Sequence, residues 1–183
     1  MRRLLAFLPL VLGLSGCIDS SVDLSASLPS AFPIKEGFYR ATNDPSSPAF
    51  KVLRAGSDYR AIDPKEPDGK GAVFTLMDPD HTGFFIAEDK TGAKDVNPPL
   101  YAYYFVSVDA SGELVDVYDF TKRDWRRLPA DLKKRLVPGL SLRLVEDSDA
   151  ASVLRDLNRQ VAIRPTPEKT SFRFVRPLDG ASN

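Results

Sequence analysis

The chain has 183 residues, and its 25 Lys and Arg balance 25 Asp and Glu, so the formal net charge is zero. That balance gives no global case for nucleic acid or for a strongly charged partner. One cysteine and one histidine are too few for a disulfide framework or a His- and Cys-rich metal site.

The first segment, MRRLLAFLPLVLGLSGC, has a basic start at Arg2 and Arg3, an apolar run from Leu4 to Leu14 and a small-residue exit. This is the layout of a secretory signal peptide. The apolar run is about half of the roughly 20 residues that a membrane-spanning helix needs. Residues 18–31, IDSSVDLSASLPSA, are rich in Ser, lack aromatics and read as a flexible tether. A single globular domain is expected over residues 32–178, with 179–183 as a frayed tail.

The domain starts with strands. Gly37 to Arg40 opens the first. Phe50 to Arg54 and Asp58 to Ile62 flank the turn Ala55-Gly56-Ser57. Ala72 to Met77 and Gly83 to Glu88 flank Asp78-Pro79-Asp80-His81-Thr82. Leu100 to Val108 and Glu113 to Phe120 flank Asp109-Ala110-Ser111-Gly112. Tyr101, Tyr103 and Phe105 share one face of their strand, and Ala102, Tyr104 and Val106 share the other. Both faces are apolar, which predicts a central strand covered on both sides.

The period changes in the last third. Thr121 is a helix cap, with Asp124 three residues later. Trp125, Leu128, Leu132 and Leu136 recur at helical spacing, and Pro129 divides the run into two short helices that Pro138-Gly139 ends. Leu140, Leu142 and Leu144 alternate as a strand. Asp149 caps a second helical region with the stripe Ala150, Val153, Leu154, Leu157 and Val161, leaving Arg155, Asp156, Asn158 and Arg159 toward water. Ser171 to Arg176 closes the domain as a strand. The fold class is therefore α+β: a mostly antiparallel sheet of successive hairpins, able to curl into a partial barrel with a helix across one opening, and two helical regions in the C-terminal third.

Leu14-Ser15-Gly16-Cys17 resembles the lipobox of bacterial lipoproteins, which runs Leu or Val, Ala or Ser, Gly or Ala, then Cys; all four positions match. The resemblance implies cleavage before Cys17, removal of residues 1–16 and acylation of the Cys17 thiol and new amine. Two or three acyl chains would anchor the protein to a membrane for good. Ile18 stands where an Asp would retain an enteric lipoprotein in the inner membrane, so the resemblance implies the outer membrane, facing the periplasm. Cleavage leaves 23 Lys and Arg against 25 Asp and Glu.

Asp78-Pro79-Asp80-His81-Thr82 follows an apolar run and resembles the Asp-x-Asp-x-Thr motif of haloacid-dehalogenase-type phosphatases. That resemblance implies Asp78 as nucleophile, Asp80 as acid–base, a bound magnesium ion and a parallel sheet with helical crossovers. The same residues are also the ones a hairpin turn prefers. Asp78, Asp80 and Thr82 alternate as in a calcium loop, but the bidentate Glu and flanking helices of an EF-hand are missing. His81 reads as an exposed turn residue. Gly37-Phe38-Tyr39 resembles lipocalins, and the resemblance implies a small barrel around an apolar ligand.

Residues 121–136, TKRDWRRLPADLKKRL, carry seven Lys or Arg against two Asp. Lys122, Arg123, Trp125, Arg126, Arg127, Lys133, Lys134 and Arg135 are the candidate contacts for an anionic surface or an envelope protein. The expectation is a non-catalytic binding or assembly module, without cofactor or metal, tethered to the membrane through Cys17. The alternatives are a tethered hydrolase using Asp78 and Asp80, or a small barrel that binds an apolar ligand.

Overall fold

The computed structural model describes residues 18–63, 65, 71–91, 99–138, 142–145, 149–165 and 168–178. The expected signal peptide over residues 1–16, Cys17, Gly139 and Leu140 of the expected helix stop and strand, and the expected tail from 179 to 183 lie outside the described residues.

Among the described residues, eleven strands form one sheet: β1 (Ile18–Ser20), β2 (Gly37–Ala41), β3 (Phe50–Ala55), β4 (Asp58–Ile62), β5 (Ala72–Met77), β6 (Phe84–Asp89), β7 (Tyr101–Val108), β8 (Leu114–Tyr118), β9 (Leu136–Pro138), β10 (Leu142–Leu144) and β11 (Lys169–Arg176). The hairpins run β2 to β8 as an antiparallel meander. β11 inserts between β8 and β2, and β6 also pairs with β7. Eight strands therefore close on themselves as an up-and-down barrel, β2-β3-β4-β5-β6-β7-β8-β11, with a helical excursion between the last two. The partial barrel expected from the sequence is in fact closed, because the C-terminal strand pairs on both of its edges.

The helices among the described residues are α1 (Lys122–Arg127), α2 (Ala130–Lys133) and α3 (Ala150–Ile163). Thr121 and Asp124 form the full capping box of α1: the Thr121 hydroxyl accepts from the Arg123 N–H, and the Asp124 carboxylate accepts from the Thr121 N–H at 3.0 Å. Pro129 caps α2. Leu136 leaves the helical register and pairs in β9 with Leu144, so the helical run ends before Pro138. Asp149 caps α3 by accepting from the Ser152 N–H at 3.2 Å, and all five residues of its expected stripe are buried.

α3 lies along the outer wall of the barrel and not across an opening. Its stripe joins Ile86, Tyr103, Phe105, Tyr118 and Phe120 in an outer core, together with Leu128, Leu132 and Leu136. Asn158, expected toward water, is buried there and donates to the Phe84 carbonyl at 3.1 Å. β7 is covered on both faces as its residues predict: Tyr103 and Phe105 point into the outer core, Tyr104 and Val106 into the barrel.

The expectation of a flexible tether over residues 18–31 is not met. Ile18 and Leu24 are buried, and β1 pairs with β7 on one side and β10 on the other. The Leu24 and Ser25 N–H groups donate to the Glu88 carboxylate at 2.7 and 3.1 Å. Three apolar side chains among the serines, Ile18, Leu24 and Leu28, outweigh the polar composition because each reaches the outer core.

The following residues plug one end of the barrel. Phe32 packs on the Tyr59 ring at 5.6 Å. The Tyr59 hydroxyl accepts from the Ile34 N–H at 3.0 Å and donates to the Ile34 carbonyl at 3.1 Å. The Tyr39 hydroxyl reaches the Gly112 and Lys35 carbonyls at 2.6 and 2.8 Å. Gly37 begins β2 where any Cβ would lie 2.3 Å from the Phe174 ring, so only glycine lets β11 approach.

Candidate functional site

The closed barrel is not filled. A cavity of about 430 Å³ lies inside it, within the size range of small-molecule sites. Its walls are the inward positions of the barrel strands, which alternate with outward ones by the two-residue period of a strand. Tyr39, Leu76, Val106 and Val115 are buried beneath it, while Phe50, Phe74, Val117 and Phe172 also point inward yet are only half-buried. All four also line the empty space.

One end is closed by residues 31–35. The other end is polar. β2, β4, β6 and β8 all run toward that end, and each continues its inward alternation by one polar residue past the apolar wall: Tyr39-Ala41-Asn43, Tyr59-Ala61-Asp63, Phe85-Ala87-Asp89 and Val115-Val117-Asp119. Asn43, Asp63, Asp89 and Asp119 thus line the same end of the cavity, joined by Asp44, Ser47 and Thr170. Among the described residues that line the cavity there is no Lys, Arg or His.

The carboxylates there are held by local donors. Asp63 accepts from the Lys65 N–H at 2.8 Å and Asp89 from the Thr91 N–H at 2.7 Å. Asp44 accepts from the Ser46 hydroxyl and N–H, which hold it below the usual carboxylate range. Burial pushes Asp89 up despite its bonds to Thr91. Burial, and then the charge of Glu168, push Asp119 up to about 6.

These residues were missed by sequence reasoning because each Asp ends a strand or directly follows one, where turn residues are expected. The available signal was the repeated period: Tyr39-Arg40-Ala41-Thr42-Asn43 and Tyr59-Arg60-Ala61-Ile62-Asp63 match at three positions.

Asp78 and Asp80 sit in the β5–β6 turn, far from a parallel sheet with helical crossovers; the phosphatase-like arrangement is not the one this chain adopts. Asp78 accepts from the His81 N–H at 2.6 Å, and His81 has a positive φ of 54°. Asp80 is engaged by Arg159 of α3 through two bonds of 2.7 and 2.9 Å. The turn is therefore pinned to the outer helix. His81 is exposed, as expected.

The basic segment is divided by the structure. Lys122 begins α1. Arg123, Arg126, Arg127 and Lys134 are exposed. Lys133 instead donates to the Arg126 carbonyl at 2.7 Å, and Arg135 donates to the Asp149 carbonyl at 3.3 Å. Trp125, expected at an interface, is half-buried and packs against the outer core, with Lys133 5.8 Å from its ring centre. Its position follows from the helical stripe it shares with Leu128 and Leu132.

No protein-family model, curated protein or solved structure matches this chain.

Proposed function

We propose that the protein is a non-catalytic ligand-binding barrel of the bacterial cell envelope, anchored to the membrane through lipidated Cys17. The observation that carries the reading is the apolar cavity of about 430 Å³ inside a closed eight-stranded barrel. Eight strands leave an interior that side chains can fill or that one small ligand can occupy. Here the small inward residues Ala41, Ala61 and Ala87 leave it unfilled. Each methylene that a ligand buries there adds about 0.8 kcal/mol. The resemblance of Gly37-Phe38-Tyr39 to lipocalins points the same way, since lipocalins share the up-and-down architecture.

The lipobox supplies the address, and the outer membrane facing the periplasm is the proposed location. Since Ile18 pairs with Tyr103 of β7, the acyl chains on Cys17 hang one residue from the barrel wall. The barrel would then rest against the membrane instead of floating on a tether. The exposed Arg123, Arg126, Arg127 and Lys134 support a second contact, with anionic head groups or an acidic envelope protein.

The test is titration of the purified protein with N-phenyl-1-naphthylamine, a neutral apolar reporter whose fluorescence rises in a dry site. Saturation at one equivalent is expected. No enhancement above that of free reporter would contradict the binding function.

A further inference from the structure

We infer that the ligand is a cationic amphiphile, with an aliphatic or aromatic body in the apolar cavity and an amine or quaternary ammonium head among Asp63, Asp89 and Asp119. The inference rests on the reading of the barrel as a ligand-binding site and names the class of its ligand.

The cavity fixes the two halves of the molecule. Toward the plugged end its walls are Tyr39, Leu76, Val106 and Val115, which offer a ligand only apolar surface and aromatic faces. At the other end three parallel-running strands deliver three carboxylates to one rim. A fatty acid or a phospholipid entering body-first would set its negative head against them. No Lys, Arg or His lines the cavity among the described residues to reverse that repulsion. A neutral ligand would bury the cavity walls but gain nothing from the carboxylates at the rim. A cationic amphiphile gains from both, because opposite charges a few ångströms apart attract strongly where water is scarce.

The aromatic residues fit the same head. Phe74 pairs directly with Asp89 across the β5–β6 ladder, so a ring and a carboxylate stand side by side at the rim of the cavity. Phe50 and Phe172 meet edge-on, their ring centres 5.3 Å apart, on the neighbouring wall. A quaternary ammonium beside a carboxylate and over aromatic faces is a recurrent mode of cation recognition. The upward displacement of Asp89 and Asp119 by burial is the cost that a bound cation would remove.

The experiment displaces bound N-phenyl-1-naphthylamine with three dodecyl compounds: dodecyltrimethylammonium and dodecanoate below their micellar concentrations, and dodecanol below its solubility limit. The tail is shared, so differences report the head. The ammonium compound should displace the reporter at a concentration about tenfold lower than dodecanoate, the order expected for charge interactions at a partly dry site. The D63N/D89N/D119N protein should still bind the reporter and lose that preference. Each single Asp→Asn protein, which is less exposed to folding failure, should lose part of it. Equal displacement by ammonium and carboxylate in the unaltered protein, or preference for dodecanoate, would overturn the cationic head. Absence of reporter binding would overturn the binding site itself, and is read separately in the titration before any competitor is added.

Discussion

The Tyr103 hydroxyl lies 3.0 Å from the Glu88 carboxylate, and together the two groups hold residues 22–25 against the barrel wall. Tyr103 also donates to the Val22 carbonyl, and Glu88 accepts from the N–H groups of Leu24 and Ser25. Both side chains are buried, so this segment is part of the domain.

Glu88→Ala would take the carboxylate acceptor from the half-buried Ser25 N–H and from the buried Leu24 N–H, which keeps only its 3.3 Å contact to the Tyr103 hydroxyl. Each such loss costs about 1–3 kcal/mol. A destabilisation of roughly 3 kcal/mol is expected in urea unfolding, with new protease cleavage between residues 20 and 30. Glu88→Gln retains an acceptor oxygen and should cost less. A Glu88→Ala protein as stable and as protease-resistant as the original would show that residues 18–28 do not depend on this latch.

Asp119 sets a pH dependence. Its folded-state pKa is raised from 3.8 to about 6 by burial and then by Glu168. Protonation therefore favours the folded state: this contribution is fully present below about 4 and is lost as pH rises through about 6. The full rise would convert to about 3 kcal/mol, and half-exposure to solvent brings the expected effect to roughly 1 kcal/mol. Asp119→Asn should raise stability by that amount at pH 7 and leave it unchanged at pH 4. Equal effects at both pH values would contradict the assignment.

The anchor is tested in cells. Growth with labelled palmitate should label the protein, and Cys17→Ala should remove the label. A labelled Cys17→Ala protein would place the acyl chains elsewhere.

The basic helices are tested on vesicles. Protein beginning at Ile18 should sediment with anionic but not neutral vesicles. Each exposed cation is worth about 1 kcal/mol at an anionic leaflet, and screening over roughly 8 Å at physiological ionic strength should weaken the contact as salt rises. Arg126→Glu/Arg127→Glu should abolish it. Equal sedimentation on both vesicle types would reduce these residues to a solvated surface.

The barrel strands were largely legible, because alternation of apolar and polar residues is a local signal. The Thr121–Asp124 cap and the stripe from Ala150 to Val161 were legible for the same reason. Closure was not, since the pairing of Phe172 with both Val115 and Ala41 joins segments distant in the chain. The short strands Ile18–Ser20 and Leu136–Pro138 carry too few residues to show a period. Ile18 and Leu24 were hidden by the serines around them. The acidic rim was written as Asp at the end of alternate strands, which only a closed barrel brings together. The exposed half of the basic segment was legible as charge; its division into exposed and backbone-bound cations depends on packing.

The most direct test of the binding function is to fill the cavity. Ala87 is buried, points inward and lines the empty space. Ala87→Phe and, separately, Ala61→Phe should project a ring into the cavity without meeting the outer core. N-phenyl-1-naphthylamine titrations of the three proteins, with thermal unfolding to confirm that each is folded, form the comparison. Saturable binding by the original protein and at least about tenfold weaker binding by each folded variant are expected, since the ring removes volume that the ligand would otherwise use to bury apolar surface. Reporter affinity unchanged in both folded variants would contradict the binding function of the cavity, and would place any apolar binding on the outside of the barrel.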